Sequence, residues 1–157
     1  MKRAEQSTTL YSNWGVRFPA DRAIDGDLST QSNTGRTNNP SWLKVYFNDM
    51  SGVRVGKVIV KGYGHAACEY TVYVLNNYTE GETPSVMPSV MPSVMCGKYN
   101  APMKYNKTVG CEGRNGTGVM IKMSSSNTSQ KSLNVFEIQV FEKIGKQVYF
   151  TSKLVRV

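Results

Sequence analysis

Two carboxylates stand two residues apart near the start of the chain, in the turn Asp25-Gly26-Asp27. Carboxylate and carbonyl oxygens are the ligands that a hard cation such as Ca2+ prefers, and glycine permits the sharp bend that would gather them. The same pattern is typical of an ordinary surface turn, so the residues alone leave both interpretations open. A catalytic acid/base role for the pair is not favoured, because a turn beside solvent seldom holds two carboxylates in the required geometry.

Other reactive constellations find little support. The 157 residues include one histidine, His65, and no Cys-x-x-Cys pair, which argues against a zinc site. There is also no nucleophile elbow and no pairing of cysteine with histidine in the sequence. We therefore expect a protein that is not an enzyme.

Three cysteines are present, and two of them suggest a disulfide bond. Cys96 and Cys111 enclose 14 residues of loop-like sequence, and a bridge between them would add roughly 3 kcal/mol by the chain-entropy estimate. Cys68 is then left over, either as a buried thiol or as a partner for another chain.

Sequence features of the surface favour an extracellular protein. Four tripeptides match the N-glycosylation acceptor, at Asn77, Asn106, Asn115 and Asn127, all in polar stretches that we expect to be loops. A chain rich in Asn, Ser and Thr also produces such matches by chance. The start of the chain lacks the apolar run of a signal peptide. We expect a secreted protein or one on the extracellular face of the cell surface.

The net charge of +8 comes from 19 basic and 11 acidic residues that are scattered along the chain. Scattered charge is typical of a solvated surface, and the alternative is affinity for an anionic glycan or a membrane surface. Nucleic acid is not favoured as a partner, because the sequence has neither a recognition helix nor a zinc finger.

Strand patterns dominate the rest of the chain. Runs of β-branched and aromatic residues bounded by Gly, Asn, Ser or Pro predict strands at 42–47, 53–60, 70–75, 118–123 and 133–141. In the last run, alternation places Val135 and Glu137 on one face and Phe136 and Ile138 on the other. Many short strands with turn-rich spacers predict an all-β sandwich or barrel.

An exact repeat, PSVM in three copies at residues 84–95, interrupts this pattern of strands. Proline at every fourth position excludes a helix and a central strand, so we interpret it as an extended or disordered surface loop, with an apolar docking loop as the alternative. The main domain is expected over 1–143. Residues 144–157 would form an extra strand or begin a linker or neighbouring domain.

The order and spacing of several motifs resemble the F-type lectin (fucolectin) family and the wider coagulation factor 5/8 C-terminal, or discoidin, superfamily. The matching pieces run from about Ala4 to Phe141 and are AEQSTTLYSNWG, ADRAIDGDLST, NPSWLKVYF, VGKVIVKGYG, CEYTVYVL, the Cys96 and Cys111 pair with GTGVMIKM, and SLNVFEIQV. The resemblance implies a galactose-binding-like jelly-roll β-sandwich. It also implies ligand-binding loops gathered at one end, with a calcium site near them.

The resemblance assigns the calcium ligands residue by residue. It implies carboxylates from Asp25 and Glu137, carbonyls from Arg22, Asp27 and Phe136, and the hydroxyl of Ser32. The Ca2+ would be structural and would hold loops together rather than bridge to a ligand.

The sugar site fits the family poorly. F-type lectins hold fucose with a histidine, an Arg-x-Asp pair and a later arginine, and these residue types are missing at the matching positions. The chain instead has Arg36, Tyr63, His65 and Tyr70 there. Tyrosine rings offer an apolar face to a sugar, and arginine and histidine donate to hydroxyls or to a carboxylate. Fucose binding therefore does not carry over, and Tyr70, which begins a strand, is alternatively a core residue.

Three functions are compatible with the sequence. The leading one is a calcium-stabilised, non-catalytic, lectin-like module that binds a glycan or glycoprotein. The alternative is an adhesion or receptor ectodomain module that has lost sugar binding and recognises a protein. A third is binding to a membrane surface through apolar loop tips, as discoidin relatives do. We interpret Trp42 as core and Trp14 as a loop anchor.

Overall fold

The computed structural model describes residues 3–35, 40–49, 51–63, 69–76, 93–100, 104–123, 132–144 and 147–148. These ranges contain one short 3-10 helix, Ala20–Ala23, and ten strands: β1 Arg3–Gln6, β2 Ser32–Asn33, β3 Trp42–Tyr46, β4 Val53–Tyr63, β5 Glu69–Leu75, β6 Ser93–Asn100, β7 Lys104–Gly116, β8 Gly118–Met123, β9 Asn134–Ile144 and β10 Gln147–Val148. Within the described residues, no helix has the length and apolarity needed to cross a membrane.

The strands form two antiparallel sheets that pack face to face. One sheet has the order β1-β3-β8-β5-β6, and the other has the order β10-β9-β4-β7, with β2 paired to β9. Alternate apolar side chains from both sheets bury each other in one core; among them are Val45, Val74 and Ile121 from the first sheet and Val58, Val60 and Ile138 from the second. The predicted all-β sandwich is confirmed.

Five of the strands match the sequence prediction, but the stretch between Cys96 and Cys111 does not. We expected a loop there, and that expectation is wrong, because the two cysteines lie on the long strands β6 and β7. Each strand is the edge of its own sheet, so their exposed faces carry the polar and glycine residues that make the sequence look like a loop. The Cys96–Cys111 disulfide itself is confirmed, with a Cα–Cα distance of 4.6 Å, and it joins the two sheet edges.

The alternation predicted for β9 is interrupted by a bulge. Glu137 lies opposite Lys61 and Val135 lies opposite Gly62, so Phe136 is an extra residue between two pairs. The bulge changes the faces: Val135 and Ile138 both enter the core, whereas Glu137 shares the outer face with Lys61. The prediction that Val135 and Glu137 share one face is therefore wrong.

The two ends of the sandwich differ in the connections they carry. Tyr63 lies opposite Lys104 and Asn134, and Tyr70 lies opposite Met123 and Tyr99, so β4, β6 and β8 end where β5, β7 and β9 begin. We call this the loop end.

The repeat is attached at the opposite end, where β5 stops at Leu75 and β6 starts at Ser93. Residues 84–92 of the repeat lie outside the described residues. Residues 93–95 begin the edge strand β6, which is compatible with their extended prediction. After Ile144, β10 pairs antiparallel with the end of β9.

Candidate functional site: two ordered loops at one end of the sandwich

The first loop at this end is a tight hairpin over residues 10–18, which we call the tryptophan hairpin. Its base closes where Phe18 N–H donates to Leu10 O at 3.1 Å, and further up Ser12 N–H donates to Val16 O at 2.9 Å. The Ser12 hydroxyl accepts from the N–H of Trp14 at 3.3 Å and of Val16 at 3.0 Å. Backbone and hydroxyl bonds therefore fix the hairpin without help from a partner.

The base of the tryptophan hairpin is tied to the sandwich. Leu10 N–H donates to Asn33 O at 2.9 Å, and Asn33 N–H donates to Phe18 O at 3.2 Å. Gln6 Nε2 lies 3.0 Å from Phe18 O and 3.2 Å from Asn33 O. The Arg22 guanidinium lies 5.6 Å from the centre of the Phe18 ring and so connects the hairpin with the 3-10 helix before the next loop.

The second loop is the acidic turn, residues 25–30, which follows the 3-10 helix. Asp25 Oδ1 accepts from Asp27 N–H at 2.9 Å, and Asp25 Oδ2 accepts from the Thr30 hydroxyl at 2.6 Å. Asp27 Oδ1 accepts from the N–H of Ser29 at 2.8 Å and from its hydroxyl at 2.7 Å, and these two bonds lower the pKa of Asp27. Short polar side chains that cap their own backbone explain why this sequence turns here.

Glu137 reaches the acidic turn from β9, more than a hundred residues away. Gly26 N–H donates to Glu137 Oε2 at 3.2 Å, and the Glu137 residue is only 7% exposed. Burial raises the pKa of Glu137 to about 7; the nearby Asp25 carboxylate adds to this, while the bond from Gly26 and the charge of Lys61 act against it. A buried carboxylate beside a second one is a site where a proton or a cation is favoured.

The structure brings together the two acidic residues predicted for calcium, Asp25 and Glu137, through the bond to Gly26. Ser32 is buried and donates to Val135 O at 3.3 Å, two residues along β9 from Glu137. Arg22 lies in the 3-10 helix, and Phe136 is the bulged residue. Their calcium role, like that of Asp27, stays a prediction.

The chemistry of the donors at the acidic turn decides which metal they would suit. The described residues contain no group of three or more His, Cys, Asp or Glu that could hold an ion. The structure does bring the Asp25 and Glu137 carboxylates near each other, and both are oxygen donors. Oxygen donors of this kind suit Ca2+ and do not suit zinc.

The residues predicted to touch a sugar are only partly described. Tyr63 is 41% exposed at the end of β4, on the loop end, whereas Arg36 and His65 lie outside the described residues. The ligand role predicted for Tyr70 is wrong and the alternative, a core residue, is confirmed: its side chain is fully buried, with its ring stacked 5.2 Å from that of Tyr99. Tyr70 is a core residue because β5 is a central strand with both neighbours paired.

Two of the four glycosylation candidates can be located. Asn106 and Asn115 are exposed, but they lie on the edge strand β7 rather than in loops, so the expected loop location is wrong for both. Asn77 and Asn127 lie outside the described residues. Glycosylation itself stays a prediction for all four.

The prediction for Trp14, the most exposed aromatic side chain among the described residues, is wrong. We expected Trp14 to anchor its loop, but it is 92% exposed at the tip of the tryptophan hairpin, whereas Trp42 is 6% exposed, as expected of a core residue. The signal that was available is the short run Ser12-Asn13-Trp14-Gly15, in which turn residues surround the indole. Gly15 has φ +75°, the left-handed conformation that a tight turn requires.

Comparison with known proteins identifies the fold. No family model and no curated protein matches the sequence, but solved structures match over most of the chain. Chitosan-binding module 2 of a Paenibacillus sp. IK-5 chitosanase/glucanase, in complex with chitotriose, has a TM-score of 0.66 at 15% identity and covers 88% of this chain and 95% of that one. The family 32 carbohydrate-binding module of C. perfringens NanJ, in complex with galactose, has a TM-score of 0.62 at 15% identity, with 88% and 91% covered.

A fucolectin from striped bass (Morone saxatilis) serum has a TM-score of 0.64 at 18% identity and covers 89% of this chain and 47% of that one. These similarities confirm the predicted galactose-binding-like, discoidin-type sandwich.

Proposed function

We propose that the protein is a carbohydrate-binding module that binds glycans at the loop end and has no catalytic activity of its own. The observation that carries this proposal is the position of Tyr63, which is exposed at the loop end of β4. The neighbouring strand β9 is bonded to the acidic turn directly and to the base of the tryptophan hairpin through β2. An exposed aromatic ring offers an apolar face to a sugar, and its hydroxyl can bond to the sugar's edge. Solved structures with this fold hold galactose and chitotriose, which supports the proposal.

We further propose a structural Ca2+ at the acidic turn. Asp25 and Glu137 would supply the carboxylates, and Arg22, Asp27, Ser32 and Phe136 would supply neutral oxygens. The cation would neutralise the buried Glu137 carboxylate and fix the turn, without contact with the glycan. A secreted or cell-surface location belongs to the same proposal. Extracellular modules bind Ca2+ with dissociation constants up to about the millimolar range, and extracellular fluid contains enough Ca2+ to fill such sites.

A glycan array probed with the full chain tests the proposal. The array should include galactose-terminated glycans and chitotriose, and it should be read in Ca2+ and in EDTA. We expect selective binding that Tyr63→Ala weakens and that EDTA weakens less. The matched control is Val94→Ala, because Val94 is 39% exposed on β6, near the opposite end, and it should leave binding unchanged.

If the wild-type chain binds no glycan of the array, that result would contradict the proposed function. Capture of a protein ligand that enzymatic removal of its glycans does not weaken would instead favour the protein-binding adhesion module. Binding to liposomes that carry no glycan would favour the membrane surface as the partner.

A further inference from the structure

The tip of the tryptophan hairpin presents an apolar surface that no described function uses. Trp14 is 92% exposed, and Tyr11 and Val16 on the same hairpin are 59% and 44% exposed. Tryptophan is highly buried on average in folded proteins, and the other tryptophan of this chain, Trp42, follows that rule with 6% exposure. Exposure of a whole indole at one defined position points to a ligand that covers it.

We infer that Trp14 is the stacking platform for a pyranose ring, and that the ligand is a glycan whose contacted sugar presents a continuous C–H face, as galactose does. This inference rests on the proposed function and names the contact and the ligand class for the same end of the sandwich.

Hydrogen bonds hold the backbone that carries Trp14 in place before any ligand arrives. Ser12 has four bonds to the tip: its N–H donates to Val16 O, its O accepts from Gly15 N–H, and its hydroxyl accepts from two further N–H groups, those of Trp14 and Val16. The bridge between Tyr11 and Arg17 closes the hairpin below them. Because the backbone is ordered beforehand, stacking on the indole costs little further loss of conformational entropy.

The base of the hairpin is connected through neighbouring strands to the strand end that carries Tyr63. Leu10 bonds to Asn33, Asn33 lies opposite Asn134, and Asn134 lies opposite Tyr63. Three neighbouring strand spacings separate the base of the hairpin from Tyr63, roughly 15 Å in total. The base of the hairpin that carries Trp14 and the strand end that carries Tyr63 therefore lie at the same end of the molecule.

The chemistry of the hairpin fits a sugar better than a bilayer. Its apolar side chains are separated by the polar Ser12 and Asn13, so the exposed surface matches a single ring rather than the broad apolar face of a membrane-bound segment. Arg17 is exposed directly opposite Tyr11, and its guanidinium donates to sugar hydroxyls. Residues 6–20 include no carboxylate that would compete for it.

The test compares Trp14→Ala, Trp14→Phe and the control Met95→Ala, which removes a 48% exposed side chain of β6 from the opposite half of the molecule. The probes are galactose, chitotriose and the strongest glycan of the array, titrated by calorimetry against the full chain. We expect Trp14→Ala to weaken binding by about 10- to 100-fold, from the apolar area that stacking buries. Trp14→Phe should retain most of the affinity, and Met95→Ala should retain all of it.

Tryptophan fluorescence gives a second readout, because the chain has only two tryptophans. Acrylamide should quench Trp14 strongly in the free protein, and saturation with the glycan should protect it, whereas Trp42 is shielded in both states. In Trp14→Phe this protection signal should disappear while the glycan still binds. The melting temperature should not change in any variant, because the exposed indole contributes nothing to the core.

Each outcome separates the inference from the function on which it rests. Glycan binding by wild type and by Trp14→Ala with equal affinity would overturn the platform and leave the proposed function standing. No glycan binding by wild type, in the array or by calorimetry, would overturn both. Loss of vesicle binding in Trp14→Ala, with glycan affinity unchanged, would assign the indole to a membrane and overturn the platform.

Discussion

The acidic turn and the tryptophan hairpin are neighbouring loops at one end of the sandwich, but different forces hold them. The tryptophan hairpin closes on itself through backbone bonds and the Ser12 hydroxyl. The acidic turn also caps itself, and a bond from Gly26 N–H to the buried Glu137 carboxylate joins it to the sheet. The groups that hold the tryptophan hairpin are uncharged, whereas the group that bonds the acidic turn to the sheet is a carboxylate.

This difference separates the functions that the two loops can serve. A loop held by neutral bonds keeps its shape over a wide range of pH and ion concentration, and it can therefore present a ligand contact at all times. A loop held by a buried carboxylate depends on what neutralises that charge. We therefore expect proton and Ca2+ to control the acidic turn and to leave the tryptophan hairpin unchanged.

The largest expected effect is the pH dependence of stability in EDTA. The pKa of Glu137 is about 7 in the folded chain, whereas its ordinary value is 4.5. Between these two pH values the folded state holds a proton that the unfolded state has lost. The contribution is full below pH 4.5 and is lost as pH rises to about 7, a decrease of about 3 kcal/mol in the free energy of unfolding. Urea unfolding at several pH values measures it.

Glu137→Gln is the control for that curve, because glutamine imitates the protonated carboxyl. The decrease between pH 4.5 and 7 should vanish in this variant. A wild-type curve that is flat over the same interval, or one that rises, would contradict the account of the buried carboxylate.

Calcium should restore the stability that the rise in pH removes. At a Ca2+ concentration of a hundred times its Kd, we expect about 2.7 kcal/mol of stabilisation, larger at pH 8 than at pH 5 because protons compete for Glu137. Differential scanning calorimetry with Ca2+, with Mg2+ and with EDTA measures this shift. A melting temperature that does not respond to Ca2+ at either pH would remove the metal from the proposed function.

A smaller effect is expected from Thr30→Val, which removes the hydroxyl that donates to Asp25 Oδ2 at 2.6 Å. Loss of this exposed bond should cost about 1 kcal/mol in EDTA. The variant should also bind Ca2+ several-fold more weakly, because Asp25 loses its orientation, and this can be followed by calorimetric titration. Unchanged Ca2+ affinity would show that the Thr30 hydroxyl does not orient Asp25 for the ion.

The smallest effect is expected from Ser12→Ala in the tryptophan hairpin. The two bonds to the Ser12 hydroxyl are on the surface, so global stability should fall by less than about 1 kcal/mol. Glycan affinity should fall a few-fold, equally in Ca2+ and in EDTA, because the tip of the hairpin is less ordered. A loss that appears only in EDTA would show that the two loops depend on each other.

Local sequence patterns predicted the parts of the fold that local patterns determine. The strands around Val45, Val58 and Ile121 follow from β-branched runs with turn residues between them, and the approach of Glu137 to Asp25 followed from the resemblance of ordered motifs. The bulge at Phe136 could not be predicted, because it depends on the register between β9 and β4. The strands that carry Cys96 and Cys111 were missed because edge strands tolerate polar residues and glycine.

The site was less predictable than the fold for a similar reason. Whether an aromatic ring lies in the core or on the surface depends on the layer that packs against it. The sequence left the place of Tyr70 open between ligand site and core, and it predicted the wrong one for Trp14: Tyr70 lies within a central strand, whereas Trp14 lies at the tip of a hairpin. Tyr63 lies at the end of a strand, where the ladder stops and the side chain meets solvent, and its exposure agrees with the role predicted for it.

The central claim is that glycans bind at the loop end, and a crystal structure of the full chain with the strongest glycan of the array tests it most directly. The account predicts density for a sugar ring against the Trp14 indole, with further density toward Tyr63 and an ion between Asp25 and Glu137. Sugar density at the opposite end, beside Val94 and Met95, with none at the loop end would contradict it.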